Sequence, residues 1–430
     1  EEVGADDDAL VTPFIQSHCA GVGEPLPVSV VRGLIAARVN VLATGLTGCR
    51  PAVADVLVRA VNENQIPVVP SQGSVGAAGS AALAHMVDGL FFNGCDVVLR
   101  GSEALALING STLATVLGAF AVHRSHRCLD IAVAATALTM EVVRADTAAL
   151  AIQPMGARSD ASEAIAIALL DQLSGSTMVA QGRRPDPFSI RCAPAVIGTA
   201  RSAISAAEGV IRTDLNAANV NPLVRVDAQR VDEVGNFHGA EVAFVMDALK
   251  VALTTLASMS ERRTFRLTYG QLSGLPSFLV RGTGLNSGLM IAQYTAASLV
   301  SECKVLSHPA SVDAIPTVQH QEDHVSMAPI AARGALRVLA ALSEVLSIEL
   351  ICGAQGLDFR LEGMAVEDDG VVHTVEPLKA GKGTMVSYRF VRGVISRWVE
   401  DRALMPDLHA MAEAVRTCGP SEQSDKALPW

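Results

Sequence analysis

The sequence predicts a mainly α-helical protein, a bundle of long central helices with a smaller N-terminal region. Half of its 430 residues are hydrophobic, yet only 4% are aromatic, and alanine is abundant. That composition suits closely packed helices better than a β-sandwich. Apolar residues also recur at helical spacing through long stretches divided by glycine, proline and polar loops. Strand character is confined to a few places, chiefly Val224 to Val234, where a short hairpin is expected.

Bulk properties exclude several functions. A net charge of −11 argues against nucleic acid or an anionic membrane as partner. The eight cysteines have no C-x-x-C pairing and read as reduced thiols of a cytoplasmic protein. No signal-peptide pattern opens the chain. Two low-charge runs, Ala104 to Val122 and Gly282 to Ser301, are interrupted by Asn, Gly, Ser or Thr and read as buried bundle helices. There is no internal repeat. The expected divisions are residues 1–190, 191–360 and 361–430.

In chain order, helices are expected at Val28 to Asn40 and Pro51 to Glu63. Gln72 to Met86, Q-G-S-V-G-A-A-G-S-A-A-L-A-H-M, is a glycine-rich turn running into a helix. Gly73, Gly76 and Gly79 permit positive φ or close backbone approach, and Ser74 and Ser80 are N-cap candidates. Backbone N–H groups gathered there can meet an anion or an electrophilic carbonyl, although a plain tight turn has the same pattern. Asn109 lies inside the apolar run Leu105 to Thr112, where an unpaired amide costs roughly 1–3 kcal/mol.

Further helices are expected at Ser125 to Leu150, Pro154 to Ser176, Ala195 to Asn216, Glu241 to Ser258, Gly284 to Val305 and Ser326 to Gly353. Leu361 to Lys382 reads as an exposed loop, and Val386 to Val415 as closing helices. His320 and His324 are four apart, the spacing of an H-E-x-x-H zinc helix. The acids between them are Glu322 and Asp323, so none adjoins the first histidine, and no third ligand is evident. No metal is expected. Ser-His-Asp, P-loop and Rossmann patterns are absent.

Several blocks together resemble the histidine and aromatic amino-acid ammonia-lyases. Gln72 to Ser80 resembles Gly-Ser-Val-Gly-Ala-Ser-Gly-Asp, and Gln16 to Gly23 resembles Ser-His-Ala-Ala-Gly-Val-Gly. Gly45 to Arg50 resembles Gly-Phe-Ser-Gly-Ile-Arg, and Leu105 to Thr112 resembles Ala-Leu-Leu-Asn-Gly-Thr. Pro185 to Cys192 resembles Gln-Asp-Pro-Tyr-Ser-Leu-Arg-Cys, and Asn219 to Leu223 resembles Ser-Asp-Asn-Pro-Leu. Gly235 to His238 matches Gly-Asn-Phe-His. Val318 to Pro329 is closest to the histidine-lyase form, Asn-Gln-Glu-Asp-His-Val-Ser-Met-Ala-Pro. Gly89 to Asp96 stands in place of a longer family segment.

The resemblance implies a long helical bundle, a homotetramer and a small-molecule substrate. It implies catalytic roles for Glu322, His18 and Asn109. It implies substrate binding by Arg191, through the carboxylate, and by Phe237, Phe188, Asn236 and Gln321. The family's electrophile, methylidene-imidazolone (MIO), forms from an Ala-Ser-Gly triplet. Here the triplet is Ala77, Ala78 and Gly79, with alanine in place of serine, so MIO is not expected and no other cofactor is implied. The family's base is a tyrosine on a Tyr-Gly-x-x-Thr-Gly-Phe-Gly loop that would fall upstream of Glu1. Tyr269, Tyr294 and Tyr388 stand in no such motif. The expected function is therefore elimination, cyclisation or isomerisation of an amino-acid-derived, histidine-like substrate by acid–base chemistry without MIO. Two alternatives are a non-catalytic ligand-binding or scaffold homologue, and a genuine histidine or aromatic amino-acid ammonia-lyase.

Overall fold

Helix follows helix along the chain, as the apolar spacing dictates. The computed structural model describes residues 10–76, 80–151, 159–179, 186–366 and 372–419. Its longest helices are Thr112–Val142, Ala193–Leu215, Ala240–Thr268 and Ala328–Leu361. Small residues let such helices lie close. A Cβ at Gly353 would sit 2.9 Å from Leu138 Cγ, tighter than real side chains allow. Local signals set several helix ends. Pro51 opens Pro51–Asn62, where its missing N–H is no loss, and Ser159 caps Asp160–Gln172.

Three expectations change in the structure. The run Gly282 to Ser301, expected as a buried helix, is irregular up to Leu289, helical from Met290, and largely accessible along its length. The helix expected at Ser125 to Leu150 runs Thr112–Val142, since Gly118 is absorbed within it. The expected loop Leu361 to Lys382 contains an antiparallel hairpin, Met364–Val366 with Val372–Thr374. Short, Val-containing runs suffice to pair there. The hairpin expected at Val224 to Val234 is present as Leu223–Arg225 with Arg230–Asp232. A third pair joins Val22–Pro25 to Pro70–Gln72.

The described residues within Glu1–Val122, Ser205–Ala248 and His308–Leu336 form one compact unit. Those within His123–Ile204, Leu249–Ser307 and Arg337–Trp430 form a second. Among the described residues two helical stretches, Gly101–Val142 and Ala240–Thr268, are long and apolar enough to cross a membrane, but most of each apolar window is buried in the fold. That is the pattern of core helices.

The second unit is built on buried polar networks. Arg263 is fully buried. Its Nε and Nη2 donate to Glu349 at 2.6 and 2.8 Å, and its Nη1 donates to Ser189 O at 3.3 Å. Thr139 donates to the same carboxylate at 2.8 Å. Glu141 accepts from Gly381 N, Ser176 Oγ and Thr384 Oγ1 at 2.7–3.0 Å. Burial outweighs these three donors and pushes its carboxyl above the usual range.

Candidate active site

In the first unit, five stretches without regular secondary structure meet around the glycine-rich loop. The loop leaves strand Pro70–Gln72 with Gly73 at φ 123° and Gly76 at φ 95°. Only glycine suits Gly76, because a Cβ there would overlap Ser326 Oγ and lie 2.9 Å from Ala328 N. Ser326 Oγ donates to Gly76 O at 3.0 Å, and Met327 N donates to Val75 O at 2.8 Å. Ala77, Ala78 and Gly79 lie outside the described residues. The chain on either side of them is tied together, with Ser74 Oγ and Ser80 Oγ 2.9 Å apart. The helix Ala81–Phe91 is capped by Ser74, which accepts from Ala82 N at 3.3 Å, and not by the Ser80 side chain. Ser80 N is already turned to Ile108 O, 3.0 Å away.

Asn109 sits in the break between helices Gly101–Ile108 and Thr112–Val142 and is only 3% exposed. Its Nδ2 donates to Asn221 O at 2.8 Å, while its Oδ1 has no partner among the described residues. Arg38 holds the break open. This fully buried guanidinium donates to Ala106 O, Asn109 O and Thr112 Oγ1 at 2.6–3.3 Å, and burial lowers its pKa to about 10. Sequence reasoning missed Arg38. The available signal was one arginine on the buried face of an apolar helix, Val28–Ala43.

Asn221 joins the next two turns, accepting from Val234 N at 2.7 Å and donating to Glu233 at 2.8 Å. Asn236 is exposed and donates to Ala218 O. Phe237 is half-buried and packs on the cluster of Val325 and Met327, as Val75 does. Glu322 is half-buried. One carboxylate oxygen, Oε2, accepts from Thr317 Oγ1, and the backbone of Thr317 donates to Glu322 O at 2.9 Å. Its Oε1 accepts no hydrogen bond from the described residues. Gln321 is exposed beside it. His320 and His324 do not share a helix. Val318, Gln319 and His320 all have left-handed backbone, and the helix starts only at Ala328. Among the described residues no cluster of His, Cys, Asp or Glu could hold a metal.

His18 ends helix Val11–His18, half-buried against Phe14, with ring centroids 4.6 Å apart and Nδ1 2.8 Å from Phe14 O. Three residues on, Gly21 N donates to His85 Nε2 at 3.1 Å, and a Cβ on Gly73 would touch Gly21 Cα. The His18 segment is thus laid along the glycine-rich loop.

Arg191 and Phe188 belong to the second unit, on the short helix Phe188–Arg191. Both are exposed, and the guanidinium lies 4.8 Å from the Phe188 ring centroid. Arg191 makes no ion pair with the described residues. Buried Ser189 anchors the helix by accepting from Arg263. A planar cation on an aromatic face keeps its edge N–H groups free for a carboxylate.

Comparison with known proteins bears on this geometry. The sequence profile of the aromatic amino acid lyase family matches residues 3–95 and 93–376, two stretches that meet at the shortened segment after Gly89. A histidine ammonia-lyase of Caldanaerobacter subterraneus subsp. tengcongensis is 41% identical, the match covering 96% of this chain and 83% of that protein. The histidine ammonia-lyase of Deinococcus radiodurans is 42% identical over 92% of this chain and 78% of its own. The crystal structure of histidine ammonia-lyase from Trypanosoma cruzi superposes with a TM-score of 0.84 at 34% identity, covering 95% of this chain and 80% of that one. Tyrosine aminomutase from Streptomyces globisporus superposes with a TM-score of 0.87 at 29% identity, covering 98% and 86%. Matched through most of its length at such identities, the chain belongs to the aromatic amino acid lyase family.

Proposed function

We propose that this protein removes ammonia from histidine. The observation that carries the reading is the 41% identity to a histidine ammonia-lyase across 96% of the chain. The expected main function, acid–base elimination, cyclisation or isomerisation of a histidine-like compound, is thereby overturned in favour of the ammonia-lyase alternative. Curated relatives matched over nearly the whole chain are named histidine ammonia-lyases.

In this reading Arg191 binds the substrate carboxylate with paired N–H groups, over Phe188. Glu322 offers its unoccupied Oε1 to an imidazole N–H or to the ammonium. Asn109 offers Oδ1, a buried acceptor that a ligand N–H would satisfy. Phe237 gives the imidazole a flat apolar neighbour. Asn236 and Gln321 line the polar side, and His18 stands as acid or base beside the glycine-rich loop. We propose a homotetramer. Its support is the set of exposed apolar residues Val251, Phe265, Ile291, Tyr294 and Val305 in the second unit. A cytoplasmic location agrees with eight free cysteines.

The family's electrophile does not fit the residues present. Ala78 has no hydroxyl to lose as water, and Ser80 is bonded to Ser74 and followed by Ala81. The absence of MIO stands as a proposal, tested by intact mass. The proposed activity is tested by ammonia release from histidine, with phenylalanine and tyrosine as controls. Release from histidine that fails in Glu322→Gln supports the reading, and no release from histidine overturns it.

A further inference from the structure

The segment that carries Glu322 is held by neither helix nor sheet. Val318, Gln319 and His320 have φ of 47°, 52° and 70°, and Met327 has φ of 54°. Such backbone is disfavoured in residues other than glycine, so the surroundings must impose it. Thr317 fastens one end and the glycine-rich loop fastens the other, through Ser326 and Met327. Between them lies a third tie that the proposed reaction leaves unused, the imidazoles of His238 and His324.

The two rings are nearly parallel, with 18° between their planes and centroids 5.2 Å apart. His238 Nε2 lies 3.2 Å from His324 O and 3.2 Å from His324 Nδ1. A carbonyl oxygen only accepts, so His238 Nε2 carries the proton and donates. His324 Nδ1, facing the same N–H, is then the bare nitrogen, and its ring proton sits on Nε2. One N–H thus binds both the backbone and the ring of His324. The neighbouring residues repeat the contact. Phe237 packs on Val325 and Met327. A Cβ on Gly239 would lie 3.3 Å from Gly76 O and 3.4 Å from Ser326 Oγ.

We propose that the His238–His324 pair is a clasp that positions Glu322 for its ligand. The proposal rests on the reading of Glu322 as a ligand-facing carboxylate. His238 acts through the segment and touches no reacting atom, so it is a positioning residue. Losing its N–H frees residues 322–325 to turn about the Thr317 and Ser326 ties, and the carboxylate no longer waits in one place.

The test is the Kd of histidine by calorimetry for the full chain and for Glu322→Gln, His238→Ala, His238→Gln and the double variant E322Q/H238A. His238→Ala is expected to weaken histidine binding about tenfold, the scale of one lost hydrogen bond in an ordered site. His238→Gln carries an amide N–H of similar reach and is expected to recover most of the loss, which mere filling of space would not achieve. The double variant is expected to bind no worse than Glu322→Gln alone, because the clasp acts through that residue. Additive losses, or an unchanged Kd in His238→Ala where Glu322→Gln is impaired, would overturn the clasp while leaving Glu322 in its role. An unchanged Kd in Glu322→Gln would overturn the reading of the site and the clasp with it. The melting temperature of each variant identifies any that is simply unfolded.

Discussion

Arg263 and Asn109 are both buried, and they are finished differently. Around Arg263 in the second unit, Nε and both terminal nitrogens are bonded, and Glu349 receives Thr139 as well. Around Asn109 in the first unit, Oδ1 has no partner among the described residues, nor has Asn219 Oδ1, and Glu322 uses one oxygen of two among them. An unsatisfied buried acceptor costs roughly 1–3 kcal/mol. Of these two networks, the completed one holds shape and the open one has acceptors left for a ligand. Loss of a residue should read out as stability in the first case and as binding in the second.

That contrast can be broken most sharply at Arg263. Arg263→Ala strands the Glu349 carboxylate in the interior and should cost about 3–5 kcal/mol, seen as a lower urea midpoint. An unshifted midpoint would mean the network does not carry the second unit. Next in size is Ala78→Ser, which gives the triplet the hydroxyl that the family's Ala-Ser-Gly carries. Ammonia release should rise about a hundredfold, near 3 kcal/mol of barrier, with an intact mass lower by two waters. A rate that stays put while the mass falls would show that the electrophile is not limiting.

Asn109→Ala should weaken histidine binding about tenfold and shift unfolding by no more than about 1 kcal/mol, the reverse of the Arg263 pattern. Equal damage to both would erase the distinction. The smallest effect concerns Glu362, a half-exposed carboxylate of the second unit. Hydrogen bonds from Arg397, aided by Arg281, hold its pKa down at about 2. A folded pKa below the unfolded value adds stability that is present above the ordinary carboxylate range and lost as pH falls toward 2. Glu362→Gln should flatten that acid limb in a pH series of melting temperatures, and an unaltered limb would assign it to other carboxylates.

Much of this was legible in the sequence, for identifiable reasons. Glycine, proline and asparagine mark turns through their own backbone preferences, so the stretches around Gly76, Asn109, Asn221 and Phe237 were visible before any fold. The long helices were visible in their apolar spacing. Expectation failed where distant chain overrides local pattern. His320 and His324 have helical spacing, but the bonds between Thr317 and Glu322 bend the backbone the other way. Ser80 looked like a cap, yet its hydroxyl is paired with Ser74. His238 and His324 are 86 residues apart, and nothing local links them. Relatives matched over most of the chain carry the proposed function where a single residue, Ala78, had pointed elsewhere.

The hydroxyl pair Ser74–Ser80 has a last consequence. It spans the three residues between Gly76 and Ser80 like a staple, while Ser326 and Ile108 grip its two ends. The frame on either side of the triplet is thus built from Ser74, Ser80, Ser326 and Ile108. Holding the loop and giving it chemistry are tasks for different residues, so a change of hydroxyl within the triplet alters none of these four groups.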